Sequence, residues 1–199
     1  MTQHPIDQRI AFLHEAAKLS HVIRATTLCD GTRRENTGEH SWHVTLCALI
    51  LAPEAGPEVN IDRVIKMLLI HDLVEIDTGD TPVHSADGQA HGSAAVLAAE
   101  QAAADRIFGL LPAEQASAFR ALWEEFEAAE TPDAVYAKAV DRLQPVMANM
   151  AADGGTWVEY NVTREQLETR VGTKITRGLP TVWAHLKGRI DAWFAKRAA

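Results

Sequence analysis

Residues 65–80 read IKMLLIHDLVEIDTGD, an apolar run that abruptly acquires a histidine and four carboxylates. Val64, Leu68, His71 and Glu75 fall at spacings of four, three and four, with Ile65, Leu69 and Asp72 on the adjacent row, which is the period of a helix burying one side. His71, Asp72 and Glu75 therefore leave the buried face together. Burying so much charge is costly unless a cation offsets it, because an unpaired buried ion forfeits its hydration. A divalent metal meets that need.

Working outward, helical periodicity recurs from end to end and strand signals are almost absent, so the expected fold class is an all-α helical bundle. Residues 6–24 form a first candidate helix, with Ile10, Leu13, Ala17 and His21 on one side. TTLCDGTRREN, residues 26–36, breaks it with the turn signal Asp30-Gly31. A second helix begins near Glu39, carries the stripe Val44, Cys47, Ala48 and Leu51, and stops around Pro53. Asn60 caps a third, whose stripe is Ile61, Val64, Ile65, Leu68 and Leu69. Residues 77–92 are polar and rich in turn formers, a long loop of the kind that is often functional. Further helices are expected over 93–109, 112–129 and 132–152, with Pro112 and Pro132 in first turns. Pro145, inside the last of these, removes the donor for the Asp141 carbonyl and predicts a bend there. Gly154-Gly155 introduces a tail of two helices, the first opened by a Thr163/Gln166 capping box and ended by Gly178 and Pro180. Residues 1–153 read as the domain, and 154–199 as its C-terminal helical extension.

The 199 residues carry 19 basic and 27 acidic side chains, a net charge of -8, which argues against a nucleic-acid polymer as partner because phosphate-backbone binding rests on clustered Lys and Arg. Two cysteines without a C-x-x-C pair suggest neither a disulfide framework nor a thiolate zinc site. The N-terminus lacks the layout of a secretion signal, and no stretch approaches the apolar length of a membrane span. A cytoplasmic protein with no membrane partner is expected.

His40 lies four residues before Val44 and so points inward with the stripe of the second helix. In the helix from 132, Ala134, Ala137, Asp141, Pro145 and Ala148 line one side, placing Asp141 in an apolar setting. Two imidazoles and two carboxylates suit one divalent ion that keeps positions open to water: Mn, Co, Fe, Ni, Zn or Mg. Such an ion acidifies bound water and polarises a phosphoryl oxygen, so hydrolysis is the natural reaction.

The order His…His-Asp…Asp, carried in the longer strings RRENTGEHSWHV, KMLLIHDLVEIDTGDTP and KAVDRLQP, resembles the HD superfamily of metal-dependent phosphohydrolases. The likeness extends over roughly residues 15–150 and is to the small single-domain branch that includes bacterial 5'-deoxynucleotidase and human HD-domain-containing relatives. The resemblance implies His40, His71, Asp72 and Asp141 as metal ligands, Glu75 as the residue handling the attacking water, and Asp80 as a second catalytic acid. It also implies Arg24 as the holder of the substrate phosphate, and it places Arg33 near the site. The substrate it implies is a small nucleotide, a (deoxy)nucleoside 5'-monophosphate above all, and the assembly a homodimer, for which the C-terminal aromatics offer a surface. Ala25 follows Arg24 where the bacterial enzyme has a tryptophan against the ribose 2'-hydroxyl, which puts a preference for deoxyribose in doubt.

Other readings stand beside these. Nucleoside triphosphates, alarmones or cyclic nucleotides are alternative phosphoesters, though no extra basic segment favours them. A noncatalytic metal-stabilised helical module is a further alternative, against which Glu75 and Asp80 both speak. Arg33 and Arg34 also suit solvated loop charges pairing with Glu35. Trp42, on a row with Leu46 and Leu49, suits core or dimer packing, and His43 suits a packing or supporting role. His84 and His91 invite a second metal, but without the spacing of binuclear enzymes, so a mononuclear site is expected.

Overall fold

The computed structural model describes residues 4–85 and 93–198. The helices are α1 (Pro5–Ala16), α2 (Thr37–Ile50), α3 (Ile61–Ile70), α4 (Glu75–Thr78), α5 (Ala94–Phe108), α6 (Ala113–Ala128) and α7 (Pro132–Ala151). The C-terminal part adds α8 (Gly155–Glu159), α9 (Arg164–Leu167), α10 (Thr173–Gly178) and α11 (Pro180–Ala198). The all-α expectation holds, with one small addition. Two short strands, β1 (Ile23–Thr27) and β2 (Arg34–Asn36), pair antiparallel with Ile23 opposite Asn36 and Thr27 opposite Arg34.

That hairpin corrects the reading of 6–24 as one helix. α1 stops at Ala16 and a 3₁₀ turn carries the chain to His21. The β-branched run Ile23, Thr26, Thr27 then fits an extended strand better than a helix. Asp30 and Gly31 turn it, with Gly31 in the left-handed region (φ 70°) and the Asp30 carboxylate accepting from the Thr32 amide at 3.0 Å. Extended backbone, not a helix end, thus carries Arg24. In α1 it is Phe12 that is buried, while Ile10 and Leu13 stay exposed.

α7 is the axis of the molecule. Thr131 caps it by accepting from the Ala134 amide at 3.2 Å, an interaction worth about 1 kcal/mol. Pro132 fills the first turn, and the helix runs on through Pro145. Ala134, Ala137, Val140, Leu143 and Ala148 are all essentially inaccessible, because α2, α3, α6 and α10 pack around this one rod. α2 starts with a reciprocal capping box: the Asn36 side chain accepts from the Glu39 amide, and Glu39 accepts from the Asn36 amide, both at 3.0 Å.

α3 ends earlier than its apolar period suggests. Past Ile70 the backbone closes tighter i to i+3 bonds, from Leu73 to the Ile70 carbonyl at 3.2 Å and from Glu75 to the Asp72 carbonyl at 3.0 Å. His71 and Asp72 therefore sit in a turn between α3 and α4. The Trp123 indole of α6 donates to the His71 carbonyl at 3.1 Å and pins this break to the core. Leu69, expected in the buried stripe, is half exposed, and Val64, Met67 and Leu68 carry the packing.

Residues 154–198 share one apolar cluster with the rest of the chain: Trp157, Leu167, Ile175, Leu179 and Ile190 are fully covered. The tail contains α8 besides the expected segments, and the Thr163/Gln166 capping box forms as expected. Trp193 and Phe194 fold back onto Trp157, with ring centroids 5.3 and 5.5 Å away. No helix among the described residues is long and apolar enough to cross a membrane.

Candidate active site

α2, the turn after α3, and α7 bring His40, His71, Asp72 and Asp141 to one point. Donor atoms of His40, His71 and Asp72 lie within 4.8 Å of one another. Asp141 falls outside that mutually close set, yet its Oδ1 is 3.1 Å from His40 Nε2 and 3.6 Å from His71 Nε2. Asp72 Oδ2 is 3.1 Å from His71 Nε2 and 3.7 Å from His40 Nε2. Both imidazoles are buried and their ring centroids are 5.7 Å apart.

His71 Nδ1 lies 2.8 Å from the Leu68 carbonyl, which can only accept, so Nδ1 carries the hydrogen. His71 Nε2 is buried and makes no hydrogen bond among the described residues, although two carboxylates face it. Burial works to lower the pKa of His71, but Asp72 and then Asp141 outweigh it and push it up to about 10. Burial and Arg24 oppose charging of His40, and Asp141 and Glu35 still raise its pKa. The field here favours positive charge at two nitrogens that share two carboxylates. An orphaned, correctly tautomerised imidazole nitrogen in such a field, with an N₂O₂ donor set, fits a divalent cation.

Around this cluster stands a ring of counter-charges. Arg24, on β1, donates through Nη1 to Asp72 at 2.9 Å and to Glu75 at 3.3 Å, with Asp80 at 3.5 Å. Burial works to lower the Arg24 pKa, and the carboxylates of Glu75, Asp72 and Asp80 raise it further still. Glu75 also accepts from the Thr37 hydroxyl at 2.8 Å. Burial first, then the charge of Asp72, pushes the Glu75 pKa up to about 8 against the opposing pull of Arg24. Asp80 accepts from the Ala25 amide at 3.2 Å, which holds β1 to the loop after α4.

A cleft of about 1050 Å³, counted to its open mouth, borders the cluster. Arg24, Ala25, Asp72, Glu75, Asp80 and Asp141 form its near wall, and Thr156, Trp157, Tyr160 and Val171 of the C-terminal segment are on its lining too. His84 also lines it, and burial, with Arg170 and Arg142, lowers its pKa to about 4. His91, the other histidine considered for a second metal, lies outside the described residues. The structure does not bring Arg33 to this cleft: it is exposed and pairs with Glu39 at 2.8 Å.

From the sequence, Glu35 is expected only as a partner of the loop charges Arg33 and Arg34, which in the structure pair with Glu39 and Glu159 instead, and Gln144, Thr37 and the C-terminal wall carry no expected role at the site. Glu35 and Gln144, both fully buried, contact His40 Nδ1 at 3.3 and 3.1 Å. Gln144 had a signal: it follows Asp141 by three positions, on the same face of α7. His43 has the supporting place expected of it, 3.1 Å from the Gln144 amide nitrogen.

A family model described as the HD domain matches residues 16–183. The human 5'-deoxynucleotidase HDDC2 is 24% identical over 149 residues, covering 72% of this chain and 68% of its own. The 5'-deoxynucleotidase yfbR of Photorhabdus temperata is 26% identical over 167 residues, covering 81% and 84%. Among solved structures, a predicted metal-dependent phosphohydrolase from Magnetospirillum magnetotacticum MS-1 superimposes with a TM-score of 0.87 at 42% identity over 95% of each chain. A conserved hypothetical protein from Pyrococcus furiosus shares the fold, with a TM-score of 0.59 at 22% identity over 89% of this chain and 99% of its own.

Proposed function

This chain belongs to the HD domain family, it is a metal-dependent phosphohydrolase, and we propose that it removes phosphate from a small nucleotide, a nucleoside 5'-monophosphate above all. The observation that carries the reading is the pairing of a cation-seeking His/Asp cluster with a basic carboxylate, Glu75, and a buried guanidinium, Arg24, on the wall of one cleft.

In this proposal His40, His71, Asp72 and Asp141 hold one divalent ion. When bound, the ion supplies Lewis acidity, neutralising charge that develops on the phosphoryl oxygens and making water a stronger acid. Glu75 takes the proton of the attacking water, a role suited to a carboxylate made more basic by burial and by the charge of Asp72. Thr37 occupies one Glu75 oxygen and so orients the other. Arg24 meets the phosphate oxygens, where a fixed planar donor is worth more than a flexible ammonium. As the bond from phosphorus to the 5'-oxygen breaks, Asp80 delivers a proton to that oxygen. Ala25 presents only a methyl to the cleft, so a 2'-hydroxyl meets no obstruction there and ribonucleotides are accepted alongside deoxyribonucleotides. The nucleoside lies toward Trp157 and Tyr160, which makes 154–199 part of the catalytic domain and not an appendage.

We place Arg33 outside substrate contact in this reading, because Glu39 already engages it. A cytoplasmic homodimer is part of the proposal. The C-terminal aromatics pack inward, whereas Trp42, Leu46, Leu49 and Ile50 of α2 are exposed and form the surface we assign to the second copy.

The test is a phosphate-release screen over nucleoside mono-, di- and triphosphates with Mn²⁺, Co²⁺, Mg²⁺ and Zn²⁺. Monophosphates should be turned over in a metal-dependent way. Release from triphosphates alone would replace the substrate assignment, and no release with any metal would end the catalytic reading.

A further inference from the structure

Gln144 is fully buried and every polar atom of its amide is engaged. Nε2 lies 3.0 Å from Glu35 Oε2 and 3.1 Å from His43 Nδ1, and Oε1 lies 3.1 Å from His40 Nδ1. A carboxylate can only accept, so Glu35 decides which end of the amide is nitrogen. The amide oxygen is thereby turned toward His40. Oxygen also only accepts, so His40 Nδ1 must carry its hydrogen, and the negative charge of Glu35 Oε1, 3.3 Å from the same nitrogen but not hydrogen-bonded to it, favours the same choice. His43 Nδ1, receiving from the amide, must be bare.

From this chain of donors and acceptors we propose that Gln144, set by Glu35, is a positioning residue that keeps a hydrogen on His40 Nδ1, so that a divalent ion binds at Nε2, the nitrogen that here faces Asp141 Oδ1 at 3.1 Å. The inference rests on the reading of His40 as a ligand. It explains an asymmetry between the two imidazoles. His71 is fixed by the backbone carbonyl of Leu68, which no substitution at that position removes. His40, in α2, is fixed by side chains 5 residues before it and 104 residues after it, so its readiness to bind depends on their identity.

Gln144→Met keeps the length of the side chain and removes its polar atoms. Calorimetric titration with Mn²⁺ and Co²⁺ should show binding weakened by about 10- to 100-fold, the usual cost of losing an outer partner of a ligating histidine. A packing role alone would leave affinity unmoved. The exchange variant Glu35→Gln/Gln144→Glu swaps donor and acceptor while still offering His40 only oxygen, and should regain most of the lost affinity. Unchanged affinity in Gln144→Met overturns the proposal, as does an exchange variant no better than Gln144→Met. A second measurement needs no variant: two-bond ¹H–¹⁵N spectra of zinc-loaded wild type should show His40 protonated at Nδ1, and a bare Nδ1 overturns the inference. Wild type that binds none of these ions overturns the ligand reading itself and this inference with it, whereas binding by wild type and Gln144→Met alike overturns the inference alone.

Discussion

Replacing Glu75 by Gln exchanges one oxygen for an amide and leaves the shape of the site intact. The Thr37 hydroxyl, now 2.8 Å from Glu75, keeps an oxygen to donate to, and Arg24 keeps Asp72 at 2.9 Å. What disappears is the carboxylate that accepts the proton, a group whose pKa in the metal-free protein stands at about 8. Positioned general bases contribute about 10²- to 10⁴-fold in rate, about 3–5 kcal/mol of barrier. With Mn²⁺ bound, kcat should fall by that factor while calorimetric metal affinity stays the same. Stability of the metal-free protein should move the other way. The native state keeps a proton on Glu75 that the unfolded chain, titrating near 4.5, releases, so wild-type stability falls as pH rises from about 4.5 to about 8. At about 1.4 kcal/mol per pH unit the loss reaches about 3 kcal/mol by pH 7. Gln carries no such cost. The variant should melt about 6–12 °C above wild type at pH 7 in EDTA, on the scale of 2–4 °C per kcal/mol for about 200 residues, with the gap closing toward pH 4.5. Turnover within tenfold of wild type would remove Glu75 as the base. A melting difference that does not widen between pH 5 and pH 7 would refute the electrostatic argument.

Four further outcomes are expected. His71→Ala should weaken Co²⁺ binding by more than about 100-fold in calorimetry, since even outer partners of a ligand are worth 10–100-fold. Ala25→Trp should place an indole in the cleft wall and lower kcat/KM for ribonucleotides by about 10-fold or more relative to deoxyribonucleotides, whereas wild type turns over both in competition assays. Trp123→Phe leaves the buried His71 carbonyl unpaired, at a cost of about 1–3 kcal/mol, and should lower the melting temperature by about 2–12 °C. Trp42→Asp should convert a dimer into a monomer by light scattering, and a wild type already monomeric would end that assignment.

Much of this architecture was legible in advance because period and capping are local signals. Val64 and Leu68 announced a buried row, Pro132 the start of α7, and Thr163 with Gln166 a helix start near the C-terminus. The four candidate ligands could be named because each extends an apolar stripe. Local signals failed where tertiary contacts decide. The strand at Ile23–Thr27 has five residues and is held by β2, by Asp80 across the site and by α7 beneath, none of which is visible in its own composition. The end of α3 at Ile70 depends on Trp123, 52 residues beyond His71, whose freed carbonyl accepts from its indole. Glu35 and Gln144 meet across 109 positions, and only three-dimensional geometry discloses that they share a histidine.

The cleft draws its reactive side chains from residues 24–141 and part of its lining from residues 156–171. Those two stretches meet where the C-terminal segment packs on α7, where α8 packs on β1, and where Arg34 pairs with Glu159 at 2.7 Å. The charged side chains of the cleft thus come from one stretch of the chain and part of its apolar lining from another. Exchanging side chains around α8 and the turn after α9 should change which organic group the cleft admits, while the ionic cluster, balanced charge against charge, keeps its arrangement.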